Sequence, residues 1–217
     1  MKLPFTYSIL NKHHIIDMKK QNIFPIIGIT SASILILASL VTLTLFLLKI
    51  SIKDWMVPYN FLSPFFVFLI FLSFKDIIVS KSNLDNFKNV IYLSLVTQIS
   101  LFFIIWTLYF KILPPKPFAI PFIITAISMA GLFIWFVILI FKTDKKEIKA
   151  FSFLQYFAIT TCLLIITRVI GILTMGKNSS LDQTSSLLGG IPYIFLIFFF
   201  SGHIDKSHDS LSNVPNA

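Results

Sequence analysis

The amino-acid sequence predicts an all-α integral membrane protein: a single bundle of six transmembrane helices joined by short loops, with no soluble domain. Three observations carry that prediction. Mean hydropathy is +0.88 and only 12% of the 217 residues are charged, about half the share of an ordinary globular chain. The apolar residues gather into six runs, at 23–48, 57–74, 90–110, 118–141, 151–174 and 187–200. A helix of about 20 apolar residues crosses the hydrocarbon core of a bilayer. Finally, the acidic residues and the lysines all fall between the runs, which leaves Arg168 as the only charge inside one.

Residues 1–22 read as a cytoplasmic N-terminal arm, with Lys2, Lys12, Lys19 and Lys20 against Asp17 alone. They lack the compact apolar stretch and small-residue cleavage site of a secretory signal, so the arm is expected to be retained. Pro4 and a poor apolar period argue against an interfacial helix here. The first span, 23–48, places Gly28, Ala32, Leu35, Ser39 and Thr42 along one helical face. Small residues at that spacing let a second helix approach closely, while the opposite face offers Ile and Leu to lipid.

The second span, 57–74, has Pro58 and Pro64 near its start, where a missing amide is tolerated. Asn60 lies in its first turn, and Trp55 and Tyr59 sit at a depth suited to an interfacial belt. Residues 75–89 read as the longest polar loop before the third span, 90–110, which holds Thr97, Gln98 and Ser100 well inside its apolar run. Three prolines at 114, 115 and 117 forbid helix continuation before the fourth span, 118–141. The fifth, 151–174, contains Gln155, Cys162 and Arg168. The sixth, 187–200, is short, and Gly189, Gly190 and Pro192 make its start irregular. The tail 201–217 is polar and expected to be disordered.

Six spans put both termini on one side. Twelve basic residues then fall on that side and five on the other, with Arg168 set apart, which predicts cytoplasmic termini in a multi-pass protein of the inner or plasma membrane. The net charge of +9 is thereby a topology signal and a means of contacting anionic headgroups on the cytoplasmic side. No nucleic-acid-binding motif accompanies it. Other membrane proteins remain candidate partners.

No catalytic motif is present, and a lone Cys162 excludes an internal disulfide. No cofactor is expected. His203, Asp205 and His208 form an H-x-D-x-x-H cluster, a weak metal candidate whose simpler reading is a solvated tail. Gln98 and Gln155 are expected to make intramembrane polar contacts, with each other or with Ser and Thr hydroxyls.

Arg168 either snorkels to the outer headgroups or pairs with Asp54 or Asp182. Alternatively it binds an anion, aided by Asn60, Tyr59 and Thr167. The leading functional expectation is a non-enzymatic accessory or assembly subunit, or a small permease-like protein. The alternative is an intramembrane enzyme acting on a lipid or isoprenoid. Convergence of Arg168, Asn60, Gln98 and Gln155 on one place would mark a substrate site.

Overall fold

The computed structural model describes residues 5–48, 53–110, 119–144, 148, 150–175 and 188–204; for 5–21, 53–61, 172, 174 and 175 it describes the backbone alone. All regular structure among these residues is helical. In chain order the elements are α1 (Phe5–Leu47), α2 (Lys53–Phe74), a π-helical segment (Lys75–Lys81), a 3₁₀ turn (Asp85–Phe87), α3 (Lys88–Tyr109), α4 (Ala119–Lys142), α5 (Phe151–Met175), a second 3₁₀ turn (Leu188–Gly190) and α6 (Ile191–Ser201). Five segments are long and apolar enough to cross a membrane: Asn22–Leu47, Leu62–Lys81, Asp85–Tyr109, Ala119–Lys142 and Phe151–Gly171.

The sixth expected span is different. Leu188–Ser201 is an apolar helix too short for that criterion. Its 14 residues reach about 21 Å even if fully helical, against roughly 30 Å of hydrocarbon. The fold compensates by burying it: Pro192, Leu196, Phe199 and Phe200 are all in the core.

Two further boundaries move, each for a visible reason. Residues 5–22, read as an arm, continue α1, because nothing between Thr6 and Asn22 breaks a helix. Much of the loop expected at 75–89 is helical as well. Ile77 and Ile78 are fully buried, and holding both inside widens the turn into a π-helix. Ser82 donates its backbone N–H to Ile77 O at 3.1 Å, five residues back, and its hydroxyl to the same oxygen at 2.9 Å. Lys81 Nζ lies 3.4 Å from Asp76 Oδ2. Asn83 then takes a left-handed φ of 52°, which an Asn tolerates better than most residues.

The helices form a ring in the order α4, α3, α2, α1, α6, α5, and α4 closes it against α5. The small-residue face of α1 meets α6. A Cβ on Gly28 would come 2.7 Å from the Phe200 ring, and one on Gly190 would come 2.8 Å from Ser39 Cβ. Ala32 and Leu35 are buried between these two contacts.

An aromatic knot gathers the other elements at one end. Phe74 of α2 lies 5.4 Å from Phe136 of α4, 5.8 Å from Phe199 and 5.4 Å from Phe200 of α6. Phe87, just before α3, adds an edge contact to Phe136 at 5.8 Å. Neighbouring helices therefore alternate in direction, and Lys75, Lys81, Lys88 and Lys142 lie toward the knotted end.

Candidate functional site: a cavity inside the helix ring

The ring encloses a cavity of about 640 Å³, within the usual size range of a small-molecule site. All six helices contribute to its wall. Phe71, Phe74 and Phe136 belong to the knot and form its closed end. Arg168 of α5 lines it, seven residues before the helix ends at Met175, or about 10 Å along the axis.

Gln98, halfway along α3, also lines it. Its side chain is only 4% exposed. Nε2 donates to Met129 Sδ at 4.0 Å, a weak contact across to α4, and Oε1 has no hydrogen-bond partner. A buried amide oxygen left in that state costs about 1–3 kcal/mol. Gln98 therefore does not bond to Gln155, as the sequence had allowed. Gln155 is half-buried on α5 and is not part of the cavity wall.

The wall hydroxyls are partly committed. Ser39 donates to Leu35 O at 3.0 Å, Thr42 to Ala38 O at 2.9 Å and Thr161 to Phe157 O at 2.8 Å. A hydroxyl whose proton is spent on its own helix can still accept. The polar members of the wall are thus these hydroxyls, the buried amide of Gln98 and Arg168, the one charged residue among them. The rest of the wall is apolar and aromatic, with Phe133, Phe157 and Tyr193 prominent.

The remaining candidates separate from this constellation. Thr167 is exposed and donates its hydroxyl to Leu163 O at 2.8 Å; it is not part of the wall. Tyr59 and Asn60 fall on the first turns of α2, and their side chains, like those of Asp54 and Asp182, lie outside the described residues. His203 Nδ1 is 2.8 Å from Phe199 O, with its ring 4.7 Å from that of Phe199. Asp205 and His208 lie outside the described residues, among which no metal-binding cluster occurs.

The sequence singles out Arg168 and Gln98 as residues needing an account, but it could not say that both line one cavity. It missed Met129, Tyr193 and the phenylalanine knot. In a chain with 25 phenylalanines no local pattern distinguishes a knot phenylalanine from a lipid-facing one.

Fold and site together define an all-helical bundle, rich in helices apolar enough to cross a membrane, around a largely apolar cavity with one cation in its wall. No protein family, curated protein or solved structure matches the chain.

Proposed function

We propose that the protein is a multi-pass integral membrane protein that holds an amphipathic anion in the cavity, as the binding step of a small permease-like carrier. The observation that carries this reading is the placement of Arg168, the one charged residue of the wall, on a largely apolar and aromatic lining. Such a wall suits a ligand with an apolar body and a carboxylate or phosphate for the guanidinium.

Membrane insertion is supported by the outer surface of the ring. Leu173 is 78% exposed, Ile127 68% and Leu37 61%, alongside many others, far more apolar surface than water-soluble monomers tolerate. In this reading the termini are cytoplasmic, the lysine-bearing knotted end faces the cytoplasm, and the Arg168 end faces outward. Anionic headgroups contact the knotted end. The short α6 and its 3₁₀ turn are accommodated because irregular backbone is tolerated at membrane depth where protein covers it.

The test uses decyl phosphate as probe, titrated into the detergent-purified protein and followed by thermal shift. Wild-type protein should be stabilised, and Arg168→Gln should weaken binding about tenfold or more, the loss of one charge-assisted contact. Arg168→Lys keeps the charge and loses the fork, so it should fall between the two. Equal binding by all three would leave Arg168 as an interfacial anchor and remove the reading.

A further inference from the structure

The ring has one weak seam. Every other neighbouring pair of helices is tied together by extensive contact, whereas α4 and α5 touch least. The α5–α6 side shows the contrast: Phe153 stacks on Phe198 at 5.3 Å, Tyr156 lies 5.6 Å from Phe195, and Phe157 lies 6.4 Å from Tyr193. Among the described residues no aromatic pair joins α4 to α5.

The cavity comes to the surface at this seam. Three described wall residues are exposed, Ala130, Ile165 and Arg168, and they belong to α4 and α5 only. Ala130 stands halfway along α4, and beside it a Cβ on Gly131 would meet no atom within 4 Å. If α4 spans the bilayer, the middle of this opening faces hydrocarbon and no water. Its upper edge is set by Arg168, about 10 Å from the end of α5, within reach of headgroup depth for a long side chain.

From this we infer that the ligand is a lipid of the surrounding membrane, admitted sideways between α4 and α5. Its acyl chain enters past Ala130 while its anionic headgroup rests on Arg168. The inference builds on the cavity-binding reading above and adds both the source of the ligand and its path. An opening at hydrocarbon depth selects for molecules already dissolved in the bilayer. The guanidinium at its upper edge selects among them for a negative headgroup, and the knot stops the chain at the far end.

The experiment places a tryptophan where only an occupant of the cavity can reach it. Phe136 is 1% exposed and lines the closed end. Phe136→Trp is made in a background with Trp55, Trp106 and Trp135 replaced by Phe, and Leu196→Trp serves as a second reporter should the first fail to fold. Each protein is reconstituted into vesicles containing phosphatidylglycerol or phosphatidylcholine brominated along the acyl chains, since bromine quenches tryptophan only near contact.

The expected result is loss of most emission with the anionic lipid, little with the zwitterionic one, and recovery of emission in Arg168→Gln and in Ala130→Phe, which narrows the seam. Undiminished quenching in Ala130→Phe would overturn the proposed path. Quenching by added brominated decyl phosphate but by neither vesicle lipid would keep the cavity reading and sink the lipid source. No quenching by any of the three probes would sink both.

Discussion

Gln98 is the residue whose chemistry is least explained by packing. A leucine would fill the same space without stranding an amide oxygen, so Gln98→Leu should leave stability equal or raise it by about 1 kcal/mol. The same change should leave binding of the decyl phosphate dianion within about twofold, because that probe has no N–H or O–H to offer an amide oxygen. Thermal melting and titration on one sample check both, and a clear fall in melting temperature would make Gln98 structural.

Ala150 poses the reverse problem. It takes a left-handed φ of 58° just before α5, a conformation that strains a residue bearing a Cβ by about 1–2 kcal/mol. Ala150→Gly should therefore stabilise the protein by about 0.5–1 kcal/mol after the extra backbone entropy of glycine is counted. Denaturation in mild detergent measures it, and a loss of stability would show that the methyl group's contacts outweigh the strain.

At the scale of elements, the α1–α6 contact depends on two absent side chains. Gly28→Ala would drive a methyl into the Phe200 ring, which the knot holds in place, and Gly190→Ala would press on Ser39. Each should cost about 1–3 kcal/mol. Gly131 is the control: its Cβ would meet nothing, so Gly131→Ala should be neutral or stabilise α4 by up to about 1 kcal/mol through helix propensity. Equal melting temperatures for the three variants would refute the close-approach account.

The π-helical segment after α2 belongs to the same scale. Its apolar residues were legible as Ile77, Ile78 and Val79. Their burial was not, because the charges of Lys75, Asp76 and Lys81 around them read locally as a loop. Once Lys81 lies against Asp76, those charges no longer oppose packing of the isoleucines.

For the whole molecule the testable quantity is threading. In a Cys162→Ala background, Asn86→Cys reports the knotted end, where Asn86 is exposed, and Ser180→Cys reports the segment between α5 and α6, which the proposed threading puts on the other side. An impermeant maleimide should label position 180 in intact cells and position 86 only after permeabilisation. The opposite pattern would invert the protein. Labelling of both positions in intact cells would show that the two segments share one side, so that the helices between them do not thread as proposed.

The sequence by itself determined that the chain is all-helical with several helices apolar enough to cross a membrane, along with the approximate helices, the close-packing face of α1 and the singular position of Arg168. Hydropathy, spacing and charge placement are local properties, and 20-residue windows record them. Tertiary structure alone decided that α1 pairs with α6, that Phe74 centres a knot joining α2, α4 and α6, and that Arg168 and Gln98 share a wall while Gln155 does not. These depend on the order of helices around the ring and on the rotation of each about its axis. In a uniformly apolar chain many orders and rotations bury similar area, so shape complementarity, such as a ring seated on Gly28, selects among them.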